Sequence, residues 1–157
     1  MRNNLVIVPL AGGAADVTAI TLNLDDVIVD VLGFVTSDTA ATSGSGLFNP
    51  IVADRVVDTR ENLGFGRLSA NTPAFIDLTD TPASAVVQTI TVTQPSGDGW
   101  IVAHPSATPP VVSNLNYRAG DTRGTLAFTR LTATGGERFT ARVATDVVVD
   151  VVGFFSD

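Results

Sequence analysis

The chain has 157 residues, a formal net charge of −7 and no cysteine. That length suits one domain, or one domain with a fragment, and is enough to bury a substantial core. All nine cations are scattered arginines, which leaves no clustered basic face for nucleic acid or an anionic membrane. The missing cysteines exclude a disulfide framework, a thiolate nucleophile and a thiolate metal site.

Hydrophobic residues make up 45% of the chain. No run reaches the ~18–20 uninterrupted apolar residues of a membrane helix, so no membrane insertion is expected. Helical periodicity is nearly missing, and short β-branched runs between turn residues take its place. Three strands are expected before Thr36: Leu5–Pro9, Val17–Leu22 and Val27–Phe34. Residues 37–46 are small, polar and aperiodic, and read as a flexible linker.

Eight further strands are expected over residues 47–157. They are Ile51–Asp58, Ala74–Thr79, Val86–Thr93, Trp100–His104, Val112–Tyr117, Thr125–Arg130, Glu137–Val143 and Asp146–Phe154. In "VVQTITVT" one face carries Val86, Gln88, Ile90 and Val92, as in a strand with one buried face. The fold class that follows is all-β: a jelly-roll-like β-sandwich of about eight strands, plus about three from a partial copy.

The partial copy is a repeat. "DVIVDVLGFV" at 26–35 matches "DVVVDVVGFF" at 146–155 in seven of ten positions. Upstream, "RNNLVIVPL" aligns with "RGTLAFTRL", and Gly12-Gly13 with Gly135-Gly136. Residues 1–36 therefore read as the C-terminal third of a preceding repeat, and 47–157 as a complete one. The opening also has the look of a short signal peptide. The register that continues through Val35 favours the repeat.

Three motifs occur in order: "RVVDTR" at 55–60, "SNLNY" at 113–117 and "VDVVGFF" at 149–155. Together they resemble a repeat of secreted and cell-surface proteins of actinobacteria and related high-GC bacteria. The resemblance covers essentially all of 47–157, and the last third of the repeat over 2–36. Trp100 stands where the family usually has Phe, and Phe155 closes a motif that often carries Tyr. The resemblance implies a secreted or cell-surface location and a repeat architecture.

No catalytic constellation is legible. His104 is the single histidine, and no G-x-S-x-G or H-E-x-x-H motif occurs. No cofactor is expected. The fourteen aspartates raise Ca²⁺ as a minor alternative, with "DD" at 25–26 and "SGDG" at 96–99 as oxygen sources, but no EF-hand or nonapeptide loop is present. A structural staple is expected from Asp58, Arg60, Asp150 and Asp30. Asp58 and Arg60 read as sharing a strand face, with Arg60 as the bidentate partner of Asp150. Asn114, Asn116, Tyr117 and Trp100 are candidates for turn chemistry or for contact with a sugar, with Trp100 expected in the core.

Two functions follow. The first is a non-catalytic structural or interaction module that assembles head to tail through Leu5, Ile7, Val27, Val29, Val31 and Phe34. Its partner is a second copy of the chain. The alternative is a carbohydrate-binding or adhesion module for a polysaccharide, which an exposed Trp100 or Tyr117 beside Asn116 would favour.

Overall fold

The computed structural model describes residues 46–78 and 83–156, together with Val29 and Val31. Among the described residues there is no helix, and eight strands follow one another along the chain. They are β1 (Phe48–Asp58), β2 (Ala74–Asp77), β3 (Ala83–Thr93), β4 (Gly99–His104), β5 (Leu115–Tyr117), β6 (Thr122–Arg130), β7 (Gly136–Ala141) and β8 (Asp146–Ser156). Each coincides with one expected strand, because β-branched runs fix the strands and Gly, Pro and Asn clusters end them.

The strands form two four-stranded sheets, in the orders β1-β8-β3-β6 and β2-β7-β4-β5. All pairings are antiparallel, and β1 meets β8, β2 meets β7, β3 meets β6, and β4 meets β5. This nested pairing is the connectivity of a jelly roll, a sandwich of two Greek keys. The sheets bury Ile90 and Val92 of β3, Ile101 of β4, Phe139 of β7 and Val147 and Val149 of β8 between them. Phe139 is fully buried, and truncating it to Ala would cost about 3–5 kcal/mol.

The expected inward face holds in β3, where Val86, Gln88, Ile90 and Val92 are all buried, but Val87 and Thr93 of the opposite face are buried too. In β8 the alternation breaks once. A bulge lies where Gln88 and Val87 of β3 face Val151 and Gly153, so Val152 is the extra residue. Parity inverts there, and Phe154 packs with Val151 against Ala83, Val86 and Leu131. Gly153 follows the bulge because a Cβ there would stand 2.5 Å from the Phe48 ring.

β5 is shorter than the expected 112–117. Asn114 stands just before it and meets β4 in two ways. Its backbone NH donates to the Ile101 carbonyl at 2.9 Å, and its side-chain oxygen accepts from the Ala103 NH at 2.7 Å. A side chain therefore takes a place that a backbone carbonyl would hold in a continued ladder.

Candidate functional site

β4 lies between β5 and β7, and its first residues help to build an open surface pocket. Trp100 is opposite Asn116 of β5, and its carbonyl accepts from the Arg142 NH at 2.9 Å just past β7. Ile101 and Leu115 point into the core. Alternation therefore sends Arg142, Trp100 and Asn116 outward in one row across three strands. Arg142 is exposed, while Trp100 and Asn116 are half-buried. The expected core position of Trp100 is thus corrected: Ile101, one residue on, takes the inward place.

This row floors an open pocket of about 450 Å³ that Asp98, Tyr117, Arg118 and Arg123 also line. Tyr117 is buried, and its hydroxyl donates to the Trp100 carbonyl at 3.1 Å. Burial pushes its phenol up to about 12, so it stays protonated and acts as a prop. Gly99 makes the junction tight, since a Cβ there would meet Tyr117 and the Arg142 Cβ at 3.1 Å. The turn between β5 and β6 is pinned twice: Asp98 accepts from the Ala119 NH at 2.9 Å, and Asp121 from the Arg118 NH at 3.0 Å. Arg123 bonds the Asn116 carbonyl and pairs with Asp121 at 3.2 Å. Arg118 and Arg142 are exposed and have no ion-pair partner among the described residues.

At the other edge of the sandwich the arginines are neutralised by aspartates of the same chain. Arg55 of β1 stands opposite Asp150 of β8 and grips it in a two-point bond, Nε at 2.8 Å and Nη2 at 3.3 Å. Arg60 bonds Asp58 through Nε at 2.8 Å and Nη2 at 2.6 Å, and Arg55 reaches the same carboxylate at 3.3 Å. The staple therefore uses Asp58, Arg60 and Asp150, but the partner of Asp150 is Arg55 and not Arg60. Arg60 lies beyond the end of β1 in a turn, so it does not share a strand face with Asp58 and instead folds back on it. The Arg60 guanidinium is the main cause that lowers the Asp58 carboxyl to about 2.

Thr59 completes the motif. Its hydroxyl donates to Asp146 at 2.9 Å and accepts from the Val147 NH at 2.9 Å, and Arg67 binds the other Asp146 oxygen. "RVVDTR" is thus a clasp on the two aspartates of "DVVVD".

A third buried carboxyl, that of Glu137, was not singled out from the sequence. Glu137 of β7 lies between the sheets with Gln88 of β3, whose amide donates to it at 2.9 Å and to Thr129 of β6 at 3.1 Å. Glu137 and Gln88 are fully buried, and one oxygen of each has no partner among the described residues. Burial raises the Glu137 carboxyl to about 8, against the opposing hydrogen bonds of Gln88 and Thr129. The readable signal was Gln88, a polar residue in the register of Val86, Ile90 and Val92. His104 is buried as well, with its ring nitrogens on the Ser106 carbonyl and the Thr140 hydroxyl, both at 2.9 Å. Burial lowers its pKa. Both nitrogens are therefore engaged in structural bonds.

Among the described residues no group of three or more His, Cys, Asp or Glu side chains is placed to hold a metal ion. Of the expected assembly residues, Val29 and Val31 are exposed and outside any strand. Leu5, Ile7, Val27 and Phe34, and the expected staple residue Asp30, lie outside the described residues. Comparison with protein-family models, curated proteins and solved structures found no match to this chain.

Proposed function

We propose that the chain is a non-catalytic structural and interaction module of a secreted or cell-surface repeat protein, and that copies join head to tail. The observation that carries this reading is the edge strand β1. Among the described residues, β8 is its one neighbour in the sheet. On and beside it Leu47, Phe48, Ile51 and Val52 are exposed, Val52 at 91%. An irregularity in register between Pro50 and Asp54 carries Ile51 to Ala53 out of the ladder.

Exposed apolar edges of this kind recruit strands from other chains. The sequence supplies a strand-like apolar segment at 26–35, a copy of β8, whereas the "RVVDTR" clasp occurs once. Residues 37–46 could span at most ~33–36 Å, enough to reach a neighbour. A contact between the 26–35 segment of one copy and β1 of the next is heterologous and propagates. Because the chain has no cysteine, engineered cysteines report this contact cleanly. Oxidation of the double variant Val31→Cys, Val52→Cys is expected to give a ladder of disulfide-linked multimers, and each single variant at most a dimer. A product linked within one chain would reject the head-to-tail reading.

A specific observation also favours the second reading, a carbohydrate-binding module. Trp100 presents part of its ring outward beside Asn116, on a surface that is concave and polar. An aromatic ring supplies an apolar platform for a sugar face, and neighbouring amides and arginines supply donors for its hydroxyls.

A further inference from the structure

We propose that the Trp100 pocket takes an anionic glycan, and specifically a sugar ring bearing a carboxylate. This rests on the carbohydrate-binding reading and names the ligand class for that site. Charge is unevenly distributed over the molecule. The chain carries net charge −7 and nine arginines, yet three of the nine line this one pocket.

Arg55, Arg60 and Arg67 are each matched to an aspartate of the same chain. Arg118 and Arg142 are not, among the described residues, and Arg123 spends part of its fork on Asp121 and the Asn116 carbonyl. Asp98 is the one carboxylate lining the pocket, and it already accepts from the Ala119 NH. The pocket therefore holds a local excess of cations inside an acidic molecule. Two guanidinium forks with no ion pair among the described residues suit a planar carboxylate, which accepts two parallel N–H bonds.

The row across the sheet sets the order of contacts. Arg142 and Asn116 flank Trp100 on either side. A sugar ring lying on Trp100 would turn its carboxylate toward Arg142 and Arg118 and its hydroxyls toward Asn116. Tyr117 and Gly99 hold the platform from beneath, so the site is built before a ligand arrives.

The test is calorimetric titration of the full chain with polygalacturonate, alginate and hyaluronate at 0.15 M salt, each beside its methyl-esterified form. The proposal expects at least one acidic polymer to bind, with affinity falling about tenfold or more on esterification. Arg142→Gln is expected to cause a similar loss, and Trp100→Ala to weaken acidic and esterified forms alike. Arg142 is exposed, so its substitution leaves the fold intact, and circular dichroism checks the fold of both variants. Equal binding of acidic and esterified polymers would overturn the carboxylate inference and leave the carbohydrate reading standing. Binding of acidic polymers unchanged by Trp100→Ala would reduce the pocket to an ion-exchange surface and overturn both. Binding of no polymer would also overturn both.

Discussion

The arginines at the two ends of the sandwich use the same chemistry for opposite ends. At the β1–β8 edge Arg55, Arg60 and Arg67 meet Asp150, Asp58 and Asp146, and the charges cancel within the chain. At the β4–β5 end Arg118 and Arg142 stand exposed with no aspartate against them among the described residues. In the first group Arg55 joins two strands across 95 positions of sequence, and Arg60 and Arg67 hold the turns beside them. The second contributes nothing comparable to the fold. A charge matched inside the chain is structural, and a charge left unmatched at a concave, aromatic surface is available to a partner.

The extreme of this comparison is Glu137, a carboxyl with no arginine at all. Its folded pKa of about 8 is raised above the ordinary value of 4.5. Below pH 4.5 both folded and unfolded forms are protonated and the group is neutral in effect. As pH rises toward 8 the unfolded chain ionises first, so stability is lost across that window. Glu137→Gln is expected to remove this loss, raising stability at pH 8 by about 4 kcal/mol and flattening the profile from pH 4.5 to 8. Denaturant unfolding at several pH values measures it. A profile of unchanged slope would show that Glu137 is ionised in the fold.

Next in size is the clasp. Arg60→Ala strips Asp58 of its main partner and should lower the thermal midpoint by about 5 °C at pH 7, read by calorimetry. A shift under about 1 °C would place Arg60 with ordinary surface residues. Its pH signature is opposite to that of Glu137. The Asp58 carboxyl is lowered from 3.8 to about 2, so its stabilisation is present above pH 4 and is lost as pH falls toward 2. In Arg60→Ala the folded carboxyl returns toward its ordinary value, so this acid limb should flatten. The smallest expected effect belongs to the pocket, where Arg142→Gln should shift the midpoint by less than about 1 °C. A large loss there would make Arg142 structural and erase the contrast.

Much of this architecture was legible in the residues. β-branched runs between turn signals located all eight strands, and the ordered motifs marked the segments that the clasp brings together. Partners across the sheet were less legible. Nothing local says that Arg55, rather than Arg60, will stand opposite Asp150, because the register of β1 on β8 is set by packing along both strands. Trp100 was expected inside from its place in a strand, yet strand parity gave the inward place to Ile101. Gln88 was visible in an apolar register, but its partner Glu137 arrives from the opposite sheet, a juxtaposition that exists in the fold alone. The pocket combines three strands and three turns, so its excess of arginine is hidden in a sequence where the same residues look scattered.

Joining of copies, as proposed above, is read most directly from the mass of the chain in solution. Multi-angle light scattering over a wide concentration range should show the weight-average mass of the full chain rising steadily beyond a dimer, without a plateau. Val52→Asp places a charge on the exposed edge of β1 and should hold the chain at monomer mass with its thermal midpoint unchanged, since Val52 is 91% exposed. A full chain that stays at monomer mass at every concentration, or a Val52→Asp variant that assembles as the parent does, would contradict it.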